Sequence, residues 1–181
     1  MRLTIKDLIH CSMFAALTAV GAFISIPVGP VPISLQSLFA MMSGAMLGSK
    51  KGFVSQLLYM IIGLIGIPVF AGGTGGLSSI MRPSFGFIFG FMAMAYIVGI
   101  MYENKFNIWG SALIASVVLY IIGLSYMTII LNIVGGNSFR LLEILNMGLF
   151  VFIPGDLLKV VITVLATSSI SKHVSIPLLT D

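Results

Sequence analysis

An acid and a base stand one helical turn apart in the stretch Ile153-Pro-Gly-Asp-Leu-Leu-Lys159, which continues as the apolar run 160–166. Asp156 and Lys159 at i and i+3 share one face of a helix. In hydrocarbon, each ionised side chain near a helix centre costs roughly 2.5–3.5 kcal/mol. Both must therefore face a protein interior or a wet cavity, paired with each other or with another polar group. Three kinds of chemistry suit such a pair. It can hold the donors and acceptors of a ligand, exchange a coupling proton, or lock a helix as a buried ion pair. The last adds little net stability, because desolvation offsets the Coulomb gain. Pro154-Gly155 just before the acid favours a site. It can break or start a helix at membrane depth, where irregular backbone survives only against protein or a cavity.

The composition says what surrounds the pair. Of 181 residues, 59% are hydrophobic and 8% charged, and the mean hydropathy is +1.16. A soluble domain carries about 25% charged residues, so the chain reads as an integral membrane protein, with no room for an added soluble catalytic domain. The net charge of +4 comes from basic residues scattered at segment ends, which is no nucleic-acid footprint. Cys11 is the only cysteine and reads as a small packing residue. The segment after Met1–Lys6, with Ala19-Val-Gly21 as a weak cleavage-like site, imitates a signal peptide but reads better as the first retained span.

Apolar stretches long enough to cross a bilayer fall at about 8–27, 32–49, 52–70, 84–101, 109–134 and 147–171. The reading is an all-α membrane protein of six transmembrane helices in one domain, 1–181. The third span ends early at Gly66-Ile-Pro68, and the fifth is predicted to tilt or bend near Gly123. Placing the N-terminus inside puts Arg2, Lys6, Lys50, Lys51, Lys105 and Lys172 on the cytoplasmic side and leaves Arg82 and Arg140 outside, so both termini are cytoplasmic. The outer connections, 27–32, 70–83 and 134–145, are elaborate where the inner ones are short and basic. They predict a pocket opening outward beneath loops.

Other motifs carry less. The glycines of 72–76 could approach an anion through backbone N–H groups, but no Lys-Ser/Thr ending or strand–helix unit follows, so no P-loop is present. Gly44-Ala-Met-Leu-Gly48 has the wrong spacing. His10 and His173 are isolated, without metal-ligand spacing or a nucleophile beside them, which argues against an enzyme. Ser12, Ala15, Ala19 and Ala22 make a stripe of small residues suited to packing within the bundle or to docking a second membrane subunit. Gly44/Gly48 and Gly86/Gly90 share that ambiguity.

Four segments together resemble the BioY family, the biotin-binding S components of energy-coupling-factor (ECF) vitamin transporters. They are Pro30-Val-Pro-Ile-Ser-Leu-Gln36, the run 63–76 with its Pro-Val-Phe-Ala-Gly-Gly core, the region 83–90, and Ile153-Pro-Gly-Asp-Leu-Leu-Lys159. The resemblance spans most of the chain. It implies a subunit in the bacterial cell membrane that captures biotin from outside, without a cofactor or an ATPase of its own. Its implied partners are a transmembrane coupling subunit and two cytoplasmic ATPase subunits, docked through Ala15 and Ala19 on the first span. Members usually read Gly-Pro-Thr-Gly-Gly-Tyr where this chain has Arg82-Pro-Ser-Phe-Gly-Phe87, so Arg82 and Phe85 replace glycines at the pocket entrance.

Biotin offers two ureido N–H donors, a carbonyl acceptor, an apolar thiophane and a carboxylate. On the family reading, Asp156 accepts from a ureido N–H, Lys159 donates to the ureido oxygen, and Gln36 adds a neutral contact. Arg82 and the loop glycines Gly73 and Gly76 are candidates for the carboxylate, and Tyr59, Phe70 and Phe85 for the thiophane wall. The opposite orientation, with Lys159 on the carboxylate, stays open. Rival readings are an S component for another vitamin, an autonomous proton-coupled carrier, and an intramembrane enzyme or scaffold.

Overall fold

A computed structural model describes residues 3–173. Arg2 of the charge census lies outside them, as do the side chains of Lys172 and His173. Helix α1 (Ile5–Phe23) starts on a capping box in which Thr4 and Asp7 satisfy each other's backbone N–H groups. A two-residue hairpin, β1 (Ser25–Ile26) and β2 (Ile33–Ser34), leads into α2 (Gln36–Leu47). After a tight turn at Gly48 comes α3 (Ser49–Leu64). Short turns over 77–85 precede α4 (Gly86–Glu103). Helix α5 (Ile108–Thr128) runs on as a π-helical segment, Ile129–Val134. Helix α6 (Leu141–Leu145), a second π-helical segment, Asn146–Phe150, and α7 (Ile153–His173) complete the chain.

Among the described residues four helical stretches are long and apolar enough to cross a membrane: Ile5–Phe23, Pro83–Glu103, Ile108–Val134 and Leu141–Ile170. The other two expected spans are shorter than the hydropathy suggested. Helix α2 has 12 residues and α3 has 16. At 1.5 Å per residue they cover roughly 18 and 24 Å, against about 30 Å of hydrocarbon. Extended chain precedes α2 and a loop follows α3. Helix α5 is continuous through Gly123. Gly123 is small because the Phe87 ring of α4 sits where its side chain would be, and the helix departs from regular geometry only at Ile129.

Helices α2 and α4 form the centre. Helix α2 touches α1, α3, α4 and α7, and α4 lies along α5, α2 and α3. Close approach here depends on missing side chains. A methyl group on Gly44 of α2 would overlap the carbonyl of Ala95 in α4, so this glycine of the Gly44/Gly48 pair works inside the bundle. The same holds for the stripe on α1. Ala15 is buried in the main core and Ala19 packs partly against it, because α1 lays this face on α2 and α3. Ala15 is thus covered by the chain's own bundle, whereas Ala19 keeps part of its surface exposed. Of this helix, Ser12, Met13, Ala16 and Val20 face outward.

The two ends of the bundle differ in chemistry. At one end Lys51 pairs with Asp7 at 2.6 Å, and Glu103 at the end of α4 accepts 2.7–3.1 Å hydrogen bonds from the backbone N–H and hydroxyl of Ser49. At the other end the hairpin, the loop 65–76 and the turns 77–85 gather over the start of α2. Replacing Gly44 by valine forces α2 and α4 apart and lowers stability by roughly 1–3 kcal/mol. The thermal unfolding midpoint of the detergent-solubilised protein reads that loss.

Candidate functional site

Helix α7 starts at Ile153, with Pro154 and Asp156 in its first turn. Proline suits a position whose N–H needs no partner, and a carboxylate is stabilised by the positive end of the helix dipole. The Asp156 N–H donates to the Phe152 carbonyl at 2.9 Å, and the helical run is interrupted one turn earlier, at Val151 and Phe152.

From that turn the pair points into the bundle. Lys159 Nζ donates to Asp156 Oδ1 at 2.7 Å and to Ser37 Oγ of α2 at 3.0 Å. The Tyr120 hydroxyl of α5 donates to Asp156 Oδ2. The side chains of Lys159 and Asp156 are 7% and 14% exposed. Three helices thus meet on one acid and one base, and both charges are hydrogen-bonded as burial requires. An ammonium has three donors; two are engaged, leaving one N–H for a ligand.

The pair forms the polar side of a cavity of about 550 Å³, counting its open mouth. Ser34, Gln36, Ser37, Ser84 and Tyr120 add hydrogen-bonding groups, while Phe70, Phe87, Phe91 and Phe152 supply aromatic walls. Such a ratio of apolar wall to a few fixed polar groups is that of a small-molecule site. Gln36 is held at both ends of its amide: Oε1 accepts from Ser34 Oγ at 2.8 Å, and Nε2 donates to the Tyr59 hydroxyl at 2.5 Å.

Asp156, Lys159 and Gln36 therefore come together, and so does Phe70. Other expected residues sit elsewhere. Tyr59 is buried behind the wall, where it orients Gln36 and donates to the Val69 carbonyl at 3.0 Å. Phe85 is buried too, stacked edge-on against Phe70 with centroids 5.9 Å apart, so it backs the lining rather than forming it. Gly73 and Gly76 use their N–H groups within the fold. The Gly73 N–H donates to the Phe70 carbonyl at 3.0 Å and the Gly76 N–H to the Gly63 carbonyl at 2.7 Å. Their N–H groups fold the loop and hold Phe70 in place. Gly63 completes that arrangement, because a side chain on it would fall inside the Phe70 ring. Arg82 is exposed and lines an adjoining cavity instead.

Tyr120, Ser37, Phe87 and Phe91 went unrecognised in the sequence. A tyrosine inside the otherwise apolar run of α5 was a usable signal, since its hydroxyl needs a partner in hydrocarbon. Phe87 and Phe91, four apart on α4, share a face, but so do many apolar pairs on that helix.

The model of the BioY family matches residues 1–176. A probable biotin transporter BioY from Lysinibacillus sphaericus is 40% identical over 132 residues, covering 70% of this chain and 67% of the relative. A probable biotin transporter BioY from Pyrococcus horikoshii is 38% identical over 154 residues, or 85% and 89% of the two chains. The biotin transporter BioY of Thermotoga maritima is 32% identical over 170 residues, or 92% and 96%. The fold is similar to the 2.1 Å crystal structure of the S-component for biotin from an ECF-type ABC transporter, with a TM-score of 0.80, 30% identity, and 94% and 95% of the two chains covered.

Breaking the pair on one side only exposes its energetics. Lys159→Met leaves a buried carboxylate with one neutral partner and destabilises the protein by about 3 kcal/mol, whereas the double change Asp156→Leu with Lys159→Met restores most of that loss. Thermal unfolding midpoints of the two variants against the wild type check both signs.

Proposed function

The chain belongs to the BioY family, a family of membrane transport proteins rather than of enzymes, and from that premise we propose that it binds biotin in the Asp156–Lys159 cavity as the S component of an ECF-type transporter. The observation that carries the reading is a buried acid and base, each with hydrogen-bonding capacity left over, in the wall of an aromatic cavity.

The ureido group of biotin needs an acceptor for its N–H groups and a donor for its carbonyl oxygen. Asp156 supplies the acceptor. Lys159 supplies the donor through the N–H not engaged by Asp156 and Ser37. Tyr120 and Ser37 fix both side chains before the ligand arrives, so little side-chain freedom is lost on binding. Charge-assisted hydrogen bonds in a dry cavity are strong, and an analogue lacking the ureido N–H or oxygen leaves a buried charge unmatched, which is the basis of steep selectivity. Gln36 keeps one amide N–H free and adds a neutral donor. Phe70, Phe87, Phe91 and Phe152 enclose the thiophane.

The chemistry of the bundle ends supports an orientation. Lys6, Lys50, Lys51 and Lys105 gather at the end away from the cavity, and basic loops stay in the cytoplasm. The cavity therefore opens outward, and the short α2 and α3 with their loops complete six crossings. No nucleotide motif is present in the sequence, so the energy for uptake comes from partner subunits: a transmembrane coupling protein and cytoplasmic ATPases.

Biotin binding to the purified chain tests the reading. Wild type binds tightly; Asp156→Asn and Lys159→Ala each weaken binding by at least about tenfold, the loss of one charged hydrogen bond in a buried site. A wild-type chain without tight binding refutes biotin as the ligand. Variants that bind like wild type move the site elsewhere.

A further inference from the structure

Beside the charged cavity lies a second one, and it holds the cation of the outer loops. Arg82 lines it together with Pro30, Gly72 and Pro83. Pro32, Ala71 and Ser84 border both cavities, so the two share a wall. Proline fixes its backbone φ, and several prolines in the second cavity keep it preformed.

The charge distribution across the two cavities is uneven. Within the main cavity Asp156 and Lys159 pair at 2.7 Å and nearly cancel at a distance. Arg82, by contrast, is exposed, and the ion pairs among the described residues lie elsewhere. Every described carboxylate is already engaged: Asp7 with Lys51, Glu103 with Ser49, Glu143 with the Arg140 backbone N–H, and Asp156 with Lys159 and Tyr120. An anion approaching the second cavity therefore meets the uncompensated positive charge of Arg82, at the side of the main cavity rather than inside it.

We propose that the Arg82 cavity is an encounter site for the carboxylate of the ligand. It holds a small monocarboxylate briefly by its anionic end before the ring system passes into the Asp156–Lys159 cavity. This rests on the biotin reading above and gives Arg82 a kinetic role in place of a share in the final complex. An exposed guanidinium attracts an anion over several ångströms, but water and salt screen any lasting contact. Charges at the rim of a site act on the association rate and its salt dependence, while buried pairs set the residence time.

Rapid mixing of radiolabelled biotin with the purified full-length chain in lipid nanodiscs separates the two rates. At low ionic strength Arg82→Gln lowers the association rate constant by roughly three- to tenfold and Arg82→Glu lowers it further, while Arg82→Lys stays near wild type. The dissociation rate constant is unchanged in all three. Raising the salt slows the wild type towards Arg82→Gln, and biotinamide, which lacks the carboxylate charge, associates at one rate with wild type and Arg82→Gln. An association rate indifferent to Arg82 and to salt overturns the encounter site while leaving biotin binding intact. So does a faster dissociation from Arg82→Gln at unchanged association, which would put Arg82 on the bound carboxylate. A wild-type chain that binds no biotin removes the premise and this proposal with it.

Discussion

A carboxylate and an ammonium held 2.7 Å apart with little access to water constrain everything around them. Neither can be left alone, because an unpaired buried charge costs several kcal/mol. Their helix cannot supply all that they need, since a pair at i and i+3 satisfies one oxygen and one proton. The rest comes from α2 through Ser37 and from α5 through Tyr120. Three helices distant in sequence are thereby tied at one point, and the register of α7 is set by polar contacts together with the packing of Val160 and Val164 in the core. In lipid this is how helix arrangement is specified, because hydrocarbon outside the bundle is as favourable to a leucine as the bundle itself.

The remaining walls are built by a different device, backbone that makes room for rings. The loop 65–76 turns on hydrogen bonds from Gly73 and Gly76 to the carbonyls of Phe70 and Gly63, and Gly63 leaves the hollow that the Phe70 ring fills. That ring meets Tyr59 and Phe85 edge-on. Gln36 is fixed from the same layer through Tyr59. Residues expected to touch a ligand turn out to orient those that line the cavity. Phe85 in place of a small residue is tolerated because it packs into this second layer.

The parts legible in the sequence were those where polar atoms stand out against hydrocarbon. Asp156, Lys159 and Gln36 were found that way, and so was the division into basic and loop-rich ends. What was not legible depended on direction. Hydropathy counted the extended chain before α2 and the loop after α3 as span, since apolar residues score alike in a helix and in a folded loop. The run of glycines invited an anion, although the N–H groups of Gly73 and Gly76 are engaged by the carbonyls of Phe70 and Gly63. The stripe on α1 offered two faces to docking, and only the packing of α1 on α2 and α3 shows that Ala15 lies on the inner one.

That ambiguity is general to the bundle and has a physical cause. Helices α4 and α5 are similarly apolar, yet α4 is by far the more buried of the two. In water two such helices would be buried alike, because burial follows hydrophobicity. Here the surroundings are apolar on every side, so hydrophobicity no longer distinguishes centre from periphery and amphipathic periodicity fades. What distinguishes them is side-chain size. Helix α4 meets α2 where Gly44 leaves the Ala95 carbonyl room, and meets α5 where Gly90 and Gly123 admit Leu119 and Phe87. Close contact at those points lets α4 run through the centre, and it brings Phe87 and Phe91 into the cavity wall. The cavity thus exists because small residues draw the helices together around it, and the charged pair then keeps one of its walls polar.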